Sequence, residues 1–298
     1  MSRSFSLVVN PNAGGGRGSE AVLPVARLLR EAGAEVKVDY SPSRATVDGL
    51  VAEAVGRGDV VVAVGGDGMV SAMCSAISRT DSEFALIPAG RGNDMARMLN
   101  LPTDPSAQAD LLLHGEVRPI DLIDVGWRVV ASSVYCGVDA TAADMVNRMK
   151  VVPTGAQYQV AAVRALAGFH PVKMHVTIDG EKHTFDAATI VVANSAYYGN
   201  GMKIAPNAIV DDGLLEIVAI EAATRRKLIT SMPKVYDGSH IKLPEVHLFQ
   251  GRSIQIQRAE GSREVLVGAD GEPLPPLPGP DQEPLAIEIL PAALKIIR

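Results

Sequence analysis

The chain of 298 residues is long enough for two domains at roughly 150 residues each, or for one large one. Its 47% hydrophobic and 21% charged residues exclude a disordered chain and a coiled coil. A net charge of −6 argues against a nucleic-acid partner, because neutralising phosphates takes a surplus of Lys and Arg. Two cysteines, Cys74 and Cys136, are too few for a disulfide framework and lack metal-ligand spacing, so a reducing, cytoplasmic setting is expected.

The amino terminus turns apolar only at Leu7, Val8 and Val9, too briefly for a signal peptide. No run of ~18 apolar residues follows, so any membrane contact is expected from one side and to be transient. Phe5–Val9 reads as a strand that runs into a glycine-rich segment, residues 10–18. Ser19 is a candidate N-cap for a helix with Val22, Val25, Leu28, Leu29 and Ala32 on one face, stopped by Gly33. Residues 35–40 alternate as a strand, 46–55 read as a helix, and 60–64 form a wholly apolar strand. Gly65-Gly66-Asp67-Gly68 breaks that pattern, a helix follows through Ile77, and 84–87 make another strand. Strand and helix alternating in this way predict an α/β domain with a parallel sheet covered on both faces.

Beyond residue 125 the pattern changes. One long helical pattern spans about 140–168, with Tyr158, Val160, Ala161, Val163, Leu166 and Ala167 as its apolar face. Strands at Val172–Ile178 and 182–185 flank Asp179-Gly180, a hairpin signal. Further short strands are expected at 189–193, 214–220, 253–257, 264–267 and 285–290, which predicts an antiparallel β-sandwich or barrel. Residues 273–284 are Pro-rich and expected to form a stiff surface loop. The expected division is an α/β domain over 1–125 and a β-rich domain over 126–290, with 291–298 as a candidate return to the first.

Three glycine-rich segments, 10–18, 65–68 and 90–94, each follow a predicted strand of the first domain. In open parallel sheets that edge binds ligands, and glycines let backbone N–H groups approach a phosphate. No G-x-x-x-x-G-K-[ST], no dinucleotide fingerprint, no H-R-D and no G-x-S-x-G is present, so the common phosphate and acyl-transfer motifs are excluded.

Asn10-Pro11-x-x-Gly14, Gly65-Gly66-Asp67-Gly68, Gly90-Arg91-Gly92-Asn93-Asp94, Gly137-Val138-Asp139-Ala140, Asp211-Asp212-Gly213 and Asp270-Gly271-Glu272-Pro273 together resemble the diacylglycerol-kinase-type lipid kinases, which include sphingosine and ceramide kinases. The resemblance covers essentially the whole chain and implies an α/β nucleotide domain followed by a β-sandwich lipid domain. It implies phosphoryl transfer from ATP, with Mg²⁺, to a lipid alcohol at a membrane surface, most simply diacylglycerol giving phosphatidic acid. On this resemblance Asn10, Pro11, Asn12, Ala13, Gly14, Ser41, Gly65, Gly66, Asp67, Gly68, Gly90, Arg91, Gly92 and Asn93 bind the nucleotide. Asp67 and Asp94 organise Mg²⁺, and Glu272 is the general base acting from the second domain. Asp212, with the carbonyls of Ile209 and Leu214, would hold a structural divalent ion; a plain turn is the competing reading.

The chain departs from the family at Met69, Val70, Ser71 and Ala72, where Thr and then Leu-Asn-Glu are usual, and at Arg91, where Thr is usual. A thioether replaces a hydroxyl that could bond phosphate, while Arg91 offers a fixed positive charge in its place. A kinase of a soluble acceptor such as NAD, which shares G-G-D-G, and a non-catalytic nucleotide- or lipid-binding relative therefore stay open. Arg225-Arg226-Lys227 with Lys234 is the candidate cluster for anionic headgroups, with a solvated helix face as the alternative. An exposed strand edge in either sheet offers a surface for a homodimer.

Overall fold

The computed structural model describes residues 3–41, 43–78, 80–149 and 157–298. The chain folds as two compact units, Met1–Leu122 with Pro291–Arg298, and Ile123–Leu290.

The first unit holds β1 (Phe5–Val9), α1 (Gly18–Glu31), β2 (Val36–Tyr40), α2 (Arg44–Arg57), β3 (Val60–Gly65), α3 (Asp67–Ile77), β4 (Glu83–Pro88), α4 (Asp94–Met98) and α5 (Pro105–His114). Strands pair in parallel in the order β2, β1, β3, β4, and Lys295 and Ile296 of the returning chain pair with Glu83 and Phe84 of β4. β1 and β3 are buried at every position, as expected of central strands with both faces covered. Leu7, Val9, Val62 and Val64 pack with Val22, Val25 and Leu29 of α1, each side chain contributing about 1.5–3 kcal/mol by leaving water. Ser19 does not cap α1. The cap position is Arg17, already helical at φ −76°, ψ −8°, because a 3₁₀ turn at Ala13–Gly15 delivers the chain early. Asp104 caps α5, its carboxylate accepting from Ser106 and Ala107 N–H at 3.0 Å, with Pro105 in the first turn.

The second unit is entered within β5 (Val117–Asp124) and holds β6 (Val129–Val130), β7 (Ser133–Gly137), α6 (Val138–Arg148), α7 (Gln157–Ala167), β8 (Val172–Ile178), β9 (Glu181–Ala193), β10 (Leu215–Glu221), α8 (Arg225–Asp237), β11 (Val246–Gly251), β12 (Ser253–Arg258), β13 (Val267–Ala269) and β14 (Glu272–Leu274). The chain leaves it within β15 (Leu285–Ile297). β9 carries β8 along its first half and β7 and β10 along its second, all antiparallel. Met174, Val176, Ile190, Val192, Ile217, Ile254 and Ile287 meet in the resulting core.

Several expectations are corrected here. The helical pattern over 140–168 is two helices: α6 ends at Arg148, ahead of Met149, whose ψ of 118° is extended, and α7 begins at Gln157, while 150–156 lie outside the described residues. The buried face of α7 is Ala161, Ala162, Ala165 and Leu166, whereas Val163 is 41% exposed and Ala167 is exposed; the Tyr158 side chain lies outside the description. The segments 182–185 and 189–193 are one strand, β9. The strand expected at 264–267 begins instead at Val267, where pairing with Cys136 of β7 starts. The strand expected at 285–290 runs on through Pro291, as β15 over Leu285–Ile297. The Pro-rich stretch is not all surface loop: β14 takes its first residues, and Leu277 is buried with its N–H on the Val265 carbonyl.

Candidate active site

β1, β3 and β4 are neighbours, and their register places Val9 beside Val64 and Gly65 beside Pro88. The three glycine-rich segments therefore leave one sheet edge side by side. Ser41 joins them, since it follows β2 and its N–H donates to the Val9 carbonyl at 2.8 Å. In the first loop Asn10 Oδ1 accepts from Asn12 N–H at 2.9 Å, an Asx turn that carries the chain past Pro11 to buried Ala13. Arg17 Nε donates to the Gly14 carbonyl at 3.0 Å, and a Cβ on Gly15 would lie 3.9 Å from Arg91 Nη2, so two guanidinium groups attend this loop. The other two loops touch backbone to backbone: a Cβ on Gly90 would lie 2.3 Å from Gly66 Cα.

Asp67 opens α3 and reaches the third loop. Its Oδ1 accepts the Asp94 N–H at 2.6 Å, and the N–H groups of Asn93 and Met95 also favour its charge, while burial pushes its carboxyl up. Asn93 sits at φ 50°, and its side-chain amide closes the loop by bonding Gly90 N–H at 2.9 Å and the Gly90 carbonyl at 3.1 Å. Asp94 is buried beneath them, and Gly92 accepts from Arg97 at 3.3 Å. Asp67 thus latches two loops together. Two carboxylates on adjoining loops fit Mg²⁺, which takes few carboxylates and fills its shell with phosphate and water. Among the described residues no group of three or more His, Cys, Asp or Glu could hold a metal by itself.

In the second unit Glu272 follows a two-residue hairpin turn between β13 and β14. Asp270 at φ 48° and Gly271 at φ 84° give that turn the handedness that matches strand twist. The Asp270 carboxylate accepts from the N–H groups of Ala131, Ser132 and Ser133 at 2.8, 2.9 and 3.2 Å, and Gly271 N–H donates to the Tyr135 hydroxyl at 3.0 Å. Arg128 Nη1 lies 2.8 Å from Glu272 Oε2. Sequence reasoning missed Arg128 and Tyr135 altogether, for nothing local marks them. Asp270 stood inside a quoted motif without a role. Asp212 lies elsewhere in this unit, in a turn between Ile209 and Leu214, where its Oδ1 accepts the Leu214 N–H at 3.0 Å.

The second unit also contains an apolar pocket of about 840 Å³ with its open mouth included, lined by Val138, Ala142, Leu166, Ile220, Leu228 and Met232 among others. Asp139 lies in its wall. Thr189 Oγ1 donates to Asp139 Oδ2 at 2.7 Å and Tyr198 also bonds it, yet burial pushes its carboxyl well up. The folded chain therefore holds this proton to higher pH than the unfolded chain, and its stability falls as pH rises through that window. Asp139→Asn removes the buried charge and keeps an acceptor for Thr189. At pH 8 the variant is expected to melt roughly 2–4 °C above wild type, as for about 1 kcal/mol, with the gap closing toward pH 4. Calorimetry at both pH values reads this, and a lower melting point at pH 8 refutes it.

Residues 4–125 match the diacylglycerol kinase catalytic domain, and residues 132–298 match the YegS C-terminal NAD kinase beta sandwich-like domain. A diacylglycerol kinase of Mycobacterium tuberculosis is 32% identical over 304 residues, covering 98% of this chain and 94% of that protein. A "Probable lipid kinase YegS-like" protein of Shewanella frigidimarina is 26% identical over 279 residues, covering 90% and 86%. Among solved structures, a diacylglycerol kinase from Bacillus anthracis str. Sterne shares the fold with a TM-score of 0.76 at 20% identity, over 100% of this chain and 97% of that one. Matched in both units and along its whole length, the chain belongs to the diacylglycerol kinase family of lipid kinases.

Proposed function

We propose that this kinase transfers the γ-phosphoryl group of ATP to the hydroxyl of diacylglycerol, giving phosphatidic acid at a membrane surface. The apolar pocket of the second unit carries this reading, because the surface it exposes is mostly apolar, although Asp139, Lys227 and Glu245 stand in its lining, and this suits an acyl chain better than a soluble acceptor. The backbone N–H groups of the three glycine-rich loops, with Arg17 and Arg91, bind the phosphates. The Glu272 carboxylate takes the proton of the acceptor hydroxyl, whose oxygen bonds to the γ-phosphorus. The bond from that phosphorus to the β–γ bridging oxygen breaks, and ADP leaves with the electron pair. Mg²⁺, when bound with ATP, would neutralise charge on the transferring group, and Asp67 and Asp94 are the residues that would hold it.

A bilayer would meet Trp127, which is 61% exposed, and the exposed Arg226 and Lys234 of α8. The rest of the expected cationic cluster is engaged within the unit: Lys227 pairs with Glu245, and Arg225 donates to the Phe169 carbonyl at 3.2 Å. No helix among the described residues is long and apolar enough to cross a membrane.

The test uses γ-labelled ATP, Mg²⁺ and mixed micelles of total bacterial lipid, with and without added diacylglycerol. Label is expected in phosphatidic acid, rising with the diacylglycerol supplied. Label in another lipid moves the acceptor, and label in NAD but in no lipid overturns the lipid reading.

A further inference from the structure

Arg128 is the most enclosed member of the charge pair beside the proposed base. Its side chain is 12% exposed, against 37% for Glu272, and Nη1 lies 2.8 Å from Glu272 Oε2. Its backbone is pinned in a tight turn between β5 and β6. The Arg128 carbonyl accepts the Val125 N–H at 3.1 Å, and Gly126, at φ 89°, donates its N–H to Asp124 Oδ1 at 2.7 Å. The partner strand is pinned as well, since Asp270, two residues before Glu272, holds the N–H groups of Ala131, Ser132 and Ser133. Asp270 thus ties the turn that carries Glu272 to residues 131–133, and Arg128, three positions before them, reaches Glu272.

A glutamate has three side-chain torsions and, at more than a third exposed, would ordinarily sample several rotamers. A guanidinium on a residue whose backbone is fixed by its turn reduces that freedom, because its planar N–H groups donate to the carboxylate from a narrow range of directions. A lysine at 128 would deliver the same charge from a flexible stem without the fixed direction.

We propose that Arg128 is the positioning residue of Glu272: its hold on one carboxylate oxygen sets the orientation from which the carboxylate takes the acceptor hydroxyl proton. This rests on Glu272 being the base. Positioning of a reacting group is worth orders of magnitude in rate, so its loss should appear in turnover and not in nucleotide affinity.

The test is a double-mutant cycle with γ-labelled ATP and total bacterial lipid in mixed micelles, using Arg128→Ala, Arg128→Lys, Glu272→Gln and the two Arg128 changes on Glu272→Gln. Arg128→Ala is expected to lower kcat about 10- to 100-fold, to leave KM for ATP within about twofold, and to recover kcat in millimolar guanidinium with no rise in melting temperature. Arg128→Lys should recover only part. On the Glu272→Gln background either change should cost less than about twofold, because the group it acts through is already lost. Equal losses on both backgrounds, or an Arg128→Ala enzyme of normal kcat, overturn the positioning role and leave the base reading standing. A fully active Glu272→Gln enzyme overturns the base reading, and the proposal with it. Should Arg128→Ala fail to fold, Arg128→Lys alone decides through the same two backgrounds.

Discussion

Glu272→Gln is expected to lower turnover about 10²- to 10⁴-fold while ATP affinity stays within about twofold of wild type. The substitution is close to isosteric, and a glutamine Oε1 still accepts from Arg128, so the contact at 2.8 Å keeps a partner. The turn that carries residue 272 is secured by groups the change does not touch, namely the Asp270 carboxylate on three N–H groups and the Tyr135 hydroxyl on Gly271. What disappears is a carboxylate able to take a proton. Rapid-quench transfer of γ-label to lipid measures the chemical step, and calorimetric titration with ATP measures binding separately. A variant with normal transfer would remove Glu272 from the chemistry. One that also loses ATP affinity would show that the change reaches the nucleotide site as well.

How far the sequence speaks follows from the range of the interactions. The parallel sheet was legible because β1 and β3 are buried on both faces, and such strands read as nearly continuous apolar runs, Phe5–Val9 broken only by Ser6 and 60–64 not broken at all. Each run is followed by a glycine-rich segment, 10–18 and 65–68, so the loops at one sheet edge could be read in order. The hairpin between β8 and β9 was legible for a similarly local reason, Asp179 at φ 46° and Gly180 at φ 90° needing the residues they have. The break between α6 and α7 was not, because the apolar residues on both sides share one helical spacing. Nor was the continuation of β15, because Pro291 is a local stop signal that strand pairing overrides.

In the site the same division holds. Glycines and aspartates stand in short motifs, but what the aspartates do is decided at long range. Asp67 serves the Asp94 N–H across 27 positions, and Asp270 serves Ala131 across 139. Spacing along the chain carries no trace of either contact, so the family resemblance suggests a metal role for Asp67 while its latching of two loops stays hidden. Arg128 has no motif at all and becomes visible only beside Glu272.

Two glycines of the nucleotide edge separate what the fold needs from what a ligand needs. Gly90 is required by packing: an alanine Cβ would stand 2.3 Å from Gly66 Cα and 2.8 Å from Asn93 Oδ1, and backbone cannot rotate away. Gly90→Ala is expected to cost about 1–3 kcal/mol of stability, as overpacking does, and to weaken ATP binding at least about 10-fold by parting the second and third loops. Gly68 is different. It lies exposed in the first turn of α3, no atom beyond its chain neighbours and the adjoining helix backbone comes within 4 Å of a Cβ built on it, and its φ is unremarkable for any residue. Alanine there should raise stability by about 0.5–1 kcal/mol, since glycine in a helix costs that much. Yet Gly68 follows Asp67 at a helix start on the proposed phosphate edge, where a Cβ would keep an anion off the backbone N–H groups. Gly68→Ala is therefore expected to melt at or above the wild-type temperature while ATP affinity falls about 10-fold or more. Melting curves with and without ATP measure both quantities in one series. If the Gly68→Ala protein gains stability and binds ATP as wild type does, the phosphates do not approach the α3 amino terminus, and the loops at residues 10–18 and 90–94 have to hold them alone.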